Sequence, residues 1–143
     1  MTKKKILVLC TGNSARSQMG EGLFRAESRG GFEVFSAGTK PSSVRPEAIA
    51  VMQEIGIDIS GQRSKSVDEF SGQSIDYVVT VCDRARDSCP VFPAGTERIH
   101  WSLEDPAAVQ GSEEERMGAF RRIRDQIHER VKTFIRDRAP AAR

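Results

Sequence analysis

Short apolar runs alternate along this chain with segments whose apolar residues recur at helical spacing. Ile6 to Leu9 is a continuous apolar run that gives way to Cys10, Thr11 and Gly12, the pattern of a strand buried on both faces. Beyond Arg16, the residues Met19, Leu23 and Ala26 share one helical face, and Gly30-Gly31 supplies a stop. Phe32 to Ala37 reads as a second strand closed by Gly38, and Pro41 to Val44 as a loop. Pro46 opens a helix whose apolar face is Ala48, Ile49, Met52 and Ile55 and which ends at Gly56, with Ile57 to Ser60 as a connector. Ser66 and Glu69 have the spacing of a capping box ahead of a short helix. Tyr77 to Val81 is a third buried strand followed by Cys82, and Pro90, Pro93 and Gly95 make the next segment a loop. Arg98 to Trp101 is a fourth strand, followed by a turn at Asp105-Pro106. Ser112 and Glu115 cap a long helix with the apolar face Phe120, Ile123, Ile127, Val131 and Phe134. Arg138 to Arg143 reads as a frayed end.

Strands alternating with helices predict an α/β fold: a parallel sheet, right-handed crossovers and helices on both faces, in three layers. Such sheets bind ligands beyond the carboxyl ends of their strands. Cys10, Cys82 and Asp105 each stand at or after a strand end, so the candidate chemistry falls along one edge.

Composition narrows the field. A chain of 143 residues with 38% apolar and 29% charged residues suits one soluble domain spanning 1–143. The formal net charge of +2 is too small to argue for nucleic acid, and Lys3-Lys4-Lys5 and the Arg-rich end read as solvated termini. No apolar stretch reaches membrane-spanning length. The start of the chain runs into the first strand without a leader pattern, so a cytoplasmic location is expected. Structural disulfides are rare there. Three cysteines, odd in number and unevenly spaced, point to chemistry rather than to a static framework.

The loop Thr11, Gly12, Asn13, Ser14, Ala15, Arg16, Ser17 lies between the first strand and the first helix. Such a loop turns backbone N–H groups around a concavity at a helix N-terminus, which makes an anion site. The helix end and Arg16 favour the thiolate of Cys10, whose pKa is expected below about 8.5. Arg16 can hold two oxygens of a tetrahedral oxyanion, and Ser17 can donate to the sulfur. The expected result is a nucleophile facing a bound oxyanion. The bland alternative is a buried strand-end cysteine with a surface arginine. A nucleotide-binding P-loop fits poorly, because the loop does not end in Gly-Lys-Ser/Thr.

If the first and third strands are neighbours, they lie about 4.8 Å apart, and Cys10 and Cys82 could approach the roughly 4.4–6.8 Å between Cα atoms that a disulfide allows. If Asp83 to Ser88 is helical, the Cα atoms of Cys82 and Cys89 differ by about 10 Å in height, and bonding them requires unwinding. The pair therefore reads as a switch, against the alternatives of a core thiol at Cys82 and an incidental loop thiol at Cys89. The cysteine spacings match no usual zinc pairing. Asp105 is a candidate general acid, provided it reaches the pocket, and otherwise a solvated turn residue. His100 reads as a strand residue, His128 as exposed on the long helix, and Trp101 as packing beside the Asp105 loop.

Taken together, Cys10 to Met19, Ser36-Ala37-Gly38, Gly56 to Ser60, Val79 to Cys82, Cys89-Pro90, His100-Trp101 and Asp105-Pro106 resemble the thioredoxin-coupled arsenate reductases, which share the low-molecular-weight protein tyrosine phosphatase fold. The resemblance covers nearly the whole chain. It implies a four-stranded parallel sheet in the order 2-1-3-4. It implies arsenate held on the backbone of Thr11 to Ser17 and on Arg16, attack by Cys10, and proton donation by Asp105. It further implies a Cys10–Cys82 disulfide passed on as Cys82–Cys89 and reduced by thioredoxin. No organic cofactor is expected, and a monomer is. Ala15 stands where many relatives have a second loop cysteine. Some relatives bind potassium through Asn13, Glu21, Ser36 and an aspartate at the position of Lys65. Here a tethered ammonium replaces that aspartate, so no potassium or other metal is expected. Two alternatives stay open. One is a phosphatase of the same fold, disfavoured by Gln18 and Ala107, where such enzymes usually have proline after the loop Arg-Ser and tyrosine after Asp-Pro. The other is a redox-controlled oxyanion-binding module.

Overall fold

The computed structural model describes residues 3–70, 72–87, 89, 92 and 95–138. The readings of Pro90 and Pro93 as loop, and of 139–143 as a frayed end, fall outside them; Arg138, also read as frayed, instead ends the long helix Glu113–Arg138 and pairs with Glu97 at 2.8 Å. Four strands, β1 (Lys4–Cys10), β2 (Phe32–Gly38), β3 (Tyr77–Thr80) and β4 (Glu97–His100), form one parallel sheet in the order β2-β1-β3-β4. The α-helices among the described residues are α1 (Arg16–Ser28), α2 (Pro46–Gln53), α3 (Asp83–Asp87) and α4 (Glu113–Arg138). The sheet is three-layered as expected, and β1 and β3 are neighbours.

Ile6 to Leu9 are fully buried, because β1 is central and both its faces are covered. Each such side chain contributes roughly 1.5–3 kcal/mol of burial. Residues paired in register share a face: Ile6, Val34 and Tyr77 on one side, Leu7, Phe35 and Val78 on the other. On the first side, Phe134 of α4 meets Phe24, Tyr77 and Phe32 edge-on at 5.1, 5.1 and 6.2 Å. On the second, Phe70, in a short 3₁₀ turn over Val67–Phe70, lies 5.3 Å from Phe35. α2 packs on α1 and α4, and α3 at the ends of β1 and β3. Among the described residues no helix is long and apolar enough to cross a membrane.

All five residues expected on the face of the long helix are buried. Its capping box closes in both directions, Glu115 N to Ser112 Oγ and Ser112 N to Glu115 Oε1, each 3.1 Å. Several finer expectations need correction. Ala26 is exposed, and the face of α1 turns instead through Phe24, which stacks on Trp101 at 5.8 Å. α1 stops at Arg29, whose φ of 49° is left-handed, one residue before the glycines. Ile55 is 38% exposed and Ile49 half-buried, and Val51 takes the inward position beside Ala48 and Met52, because α2 ends at Gln53. β4 runs one residue earlier than expected, although Trp101 N still donates to Thr80 O at 2.8 Å. Ser66 caps Asp68 N at 3.0 Å, but Glu69 turns to Arg63 rather than back to the cap. His128 is half-buried against Glu27, Nε2 to Oε2 2.9 Å.

Candidate active site

The loop between β1 and α1 is fixed from outside by its carbonyls. Thr11 O accepts from Lys40 N at 2.8 Å, Gly12 O from Ser42 N and Ser64 Oγ at 3.0 Å each, Ser14 O from Arg45 N at 2.9 Å and Ala15 O from Met19 N at 2.9 Å. Asn13 O accepts from Gln18 Nε2 at 3.0 Å. These carbonyls are thus all engaged by the surrounding chain. Among the described residues no acceptor takes the N–H of Gly12, Ser14 or Ala15, so these donors are free to face an anion. Gly38 makes this approach possible, since a Cβ there would lie 2.5 Å from Thr11 O and 2.8 Å from Asn13 N.

Cys10, the last residue of β1, is 2% exposed. Asn13 N donates to its Sγ at 3.2 Å and Ser17 Oγ lies 2.8 Å away. Asn13 has a φ of 47°, a left-handed turn that asparagine tolerates better than most residues, and this turn aims its N–H at the sulfur. Its side chain is saturated: Nδ2 donates to Ser17 Oγ at 2.7 Å and to Ser36 Oγ at 3.0 Å, while Oδ1 accepts from Lys65 N at 2.9 Å. Because Ser17 Oγ accepts from Asn13, its own proton is left for Cys10. The same logic makes Ser36 a donor to Glu21. A chain of directed hydrogen bonds thus runs from Glu21 through Ser36, Asn13 and Ser17 to the sulfur.

Glu21 is buried and meets Lys65 Nζ at 3.6 Å as well as Arg25. Burial pulls the Lys65 ammonium below its ordinary pKa, and Glu21 opposes that pull. The oxygens around this position are therefore committed: Asn13 Oδ1 to a backbone amide, and Glu21 to a hydroxyl and two cations. Lys65 Nζ holds the place beside Glu21.

Arg16 opens α1. Its Nη1 donates to Leu103 O at 3.0 Å and its Nη2 lies 3.8 Å from Asp105 Oδ2. Asp105 caps the turn Pro106–Ala108 through Ala107 N at 2.9 Å and is half-exposed. Cys10, Arg16, Cys82 and Asp105 line one pocket of about 540 Å³ with the loop residues Thr11, Gly12, Ser14 and Ala15. None of the described residues that line it is aromatic. Cys82 is buried, with Thr11 Oγ1 and Ala85 N each 3.4 Å from its Sγ. Cys89 is half-buried and is not among the residues lining the pocket. Burial pushes its thiol pKa up, and Arg98 acts in the opposite sense. The pocket thus brings together every catalytic residue expected from the sequence except Cys89. Sequence reasoning missed the outer ties from Ser42, Ser64 and Gln18, and His100, which hydrogen-bonds Thr80 and Asp83 beside Cys82. Asp83 and Arg84 also line the pocket.

Comparison with known proteins agrees with this geometry. The sequence profile described as low molecular weight phosphotyrosine protein phosphatase matches residues 5–140. An arsenate reductase of Halalkalibacterium halodurans is 48% identical over 134 residues, 94% of this chain and 96% of that protein. A solved structure of an arsenate reductase in the oxidized state superposes with a TM-score of 0.81 at 36% identity, covering 94% of this chain and 98% of the other. A thioredoxin-dependent arsenate reductase of Corynebacterium glutamicum gives a TM-score of 0.75 at 26% identity, covering 94% of this chain and 61% of that one. By strand order, loop and sequence match, this chain belongs to the low molecular weight phosphotyrosine protein phosphatase family, which it shares with these arsenate reductase relatives.

Proposed function

We propose that this protein reduces arsenate to arsenite through Cys10, Cys82 and Cys89 and is returned to its starting state by thioredoxin. The observation that carries the proposal is the placement of a second thiol, Cys82, in the oxyanion pocket of Cys10, with Thr11 Oγ1 3.4 Å from its sulfur. Hydrolysis of a phosphate ester has no use for that thiol. Nor do the described residues lining the pocket offer an aromatic wall for an aryl group.

Arsenate occupies the free amides of the loop and the Arg16 guanidinium. Cys10 thiolate attacks arsenic, and Asp105 gives a proton to the departing oxygen, which leaves as water. Cys82 thiolate then attacks Cys10 Sγ. The S–As electron pair passes to arsenic, which leaves as arsenite, and a Cys10–Cys82 disulfide remains. Cys89 thiolate attacks Cys82 and expels Cys10 as thiolate. A thioredoxin dithiol reduces the Cys82–Cys89 bond. Ser17 and the amide of Asn13 stabilise negative sulfur at Cys10 in the first step and again when it leaves. Lys65 holds the position beside Glu21 and Asn13, and no step uses potassium or another cofactor. All these groups come from one chain, so the mechanism needs no second subunit, and the three free thiols suit a reducing compartment such as the cytoplasm.

The test is NADPH oxidation with arsenate, thioredoxin and its reductase. Turnover is expected for the native chain and is abolished in Cys10→Ser, Cys82→Ser and Cys89→Ser, whereas weak hydrolysis of an aryl phosphate is abolished only in Cys10→Ser. Sustained thioredoxin-coupled turnover in Cys89→Ser removes that residue from the mechanism. Loss of the phosphatase activity in Cys82→Ser refutes the division of roles.

A further inference from the structure

α3 (Asp83–Asp87) stands between Cys82 and Cys89, and its five helical residues alone rise about 7.5 Å, beyond the roughly 4.4–6.8 Å between Cα atoms that a disulfide allows. One set of side chains outside the relay holds this helix closed. His100 ends β4 opposite Thr80. Its Nδ1 lies 2.7 Å from Thr80 Oγ1 and its Nε2 lies 2.9 Å from Asp83 Oδ1. Ser102 Oγ donates to the same carboxylate oxygen at 3.4 Å. The Thr80 hydroxyl contacts Ile99 O only at 3.4 Å, so the shorter bond to the ring is its main engagement. A hydroxyl donating to Nδ1 leaves the proton on Nε2, aimed at Asp83.

Asp83 is the first residue of α3 and follows Cys82 directly. Among the described residues no other side chain of α3 makes a polar tie to the rest of the molecule: Arg86 pairs with Asp87 inside the helix, and Arg84 stands without a partner on the pocket rim. The direction of the Asp83 side chain depends on helical dihedrals at its own position, and α3, which opens at Asp83, must lose helical geometry before Cys82 can bond to Cys89.

We propose that His100 and Asp83 form a latch, made only while α3 is wound, that sets the reduction potential of the Cys82–Cys89 pair. The inference rests on the relay proposed above. Stabilising the dithiol form makes the disulfide a better oxidant. The latch therefore makes the last disulfide of the cycle easier for an external dithiol to reduce, and it opposes premature bonding of Cys89. His100 and Asp83 act here as positioning residues and touch no reacting atom.

The test uses the full chain with Cys10→Ser, which isolates the pair. Samples are equilibrated with mixtures of oxidised and reduced dithiothreitol, so that two electrons and two protons pass from Cys82 and Cys89 to the reagent disulfide. Free thiols are then counted by alkylation and mass spectrometry. Asp83→Ala and His100→Leu are each expected to shift the equilibrium toward the disulfide by about three- to tenfold, or about 15–30 mV more negative. The double variant is expected to shift no further than either single one, since both remove the same bond. Asp83→Asn, which keeps an acceptor for Nε2–H, is expected to retain most of the native value. Asp83→Ala sits on an exposed side chain and decides the matter even where His100→Leu does not fold. An equilibrium constant within twofold of the native one in Asp83→Ala overturns the latch. Failure of the parent chain to form any Cys82–Cys89 disulfide overturns the relay and the latch together, and is read directly from the parent sample.

Discussion

Removing the Asn13 side chain tests the directed chain of hydrogen bonds behind Cys10. Asn13→Ala deletes two donor bonds, to Ser17 and Ser36, and one acceptor bond, from Lys65 N. All three lie in a buried or half-buried setting. At about 1 kcal/mol per bond, with a further cost of about 1 kcal/mol for alanine at a left-handed φ, the loss of stability comes to about 4 kcal/mol. Urea unfolding of the reduced protein measures it. The catalytic consequence is more specific. Without Asn13, the Ser17 hydroxyl is no longer obliged to donate to sulfur. A hydrogen bond to a charged partner contributes about 1.5–3 kcal/mol, so Ser17→Ala should slow the first arsenite release by one to two orders of magnitude, at about 1.4 kcal/mol per factor of ten. Because part of the Asn13 effect passes through Ser17, the double variant should be faster than the product of the two single effects by about tenfold. Multiplicative effects in single-turnover arsenite release would refute the chain, as would a stability loss below about 1 kcal/mol in Asn13→Ala.

Two further outcomes follow from buried charge and a buried thiol. A cation that binds the folded protein raises its melting temperature by mass action, and Lys65 already holds the Glu21 carboxylate. Potassium should therefore leave melting temperature and turnover the same as sodium does at equal ionic strength, and a potassium-specific rise refutes the role given to Lys65. Burial raises the Cys89 pKa, against the pull of Arg98, so less thiolate is present at neutral pH than on an ordinary cysteine. Transfer of the disulfide from Cys10–Cys82 to Cys82–Cys89 should keep accelerating as pH passes about 8.5, and a plateau below that pH would show that Cys89 attacks from a solvated position instead.

What could be read from the sequence was what depends on local spacing. The Cys10-to-Arg16 loop, the face of α4 and its reciprocal cap at Ser112 and Glu115 are all written within a few turns of chain, and all three appear as expected. Parallel pairing of β1 with β3 followed once the strands were taken in the family order. The misplaced residues are those whose fate is decided by distant partners. Ala26 and Ile55 fit a helical face on spacing, but Phe24 is drawn in by Trp101 and Phe134, and Ile55 lies beyond the end of its helix. Glu69 has the right spacing for a capping box, yet a bidentate pair with Arg63, six residues earlier, outcompetes a single backbone amide. The ties from Ser42 and Ser64 to Gly12 O span 30 residues or more, and no local signal announces them.

These long ties explain how a rigid and a changeable half coexist in so small a site. A tetrahedral oxyanion needs amides fixed before it arrives, since donors that must reorganise lose their advantage. Five carbonyls pinned by the surrounding chain, and an asparagine with every polar atom engaged, supply that fixity around Cys10. The proposed thiol relay needs the opposite on the β3 side, where α3 has five residues and one polar side-chain tie to the sheet among the described residues. Segments with few such ties open at low cost. Cys82 stands where the two halves meet: its strand is locked into the sheet by Val81 N to Leu9 O at 2.9 Å, and its sulfur faces both Thr11 of the rigid loop and Ala85 of the short helix. From that position it can meet Cys10 across neighbouring strands without disturbing the loop, and it can meet Cys89 only when α3 gives way. In the relay proposed above, the order of the two disulfides is then a consequence of which half moves.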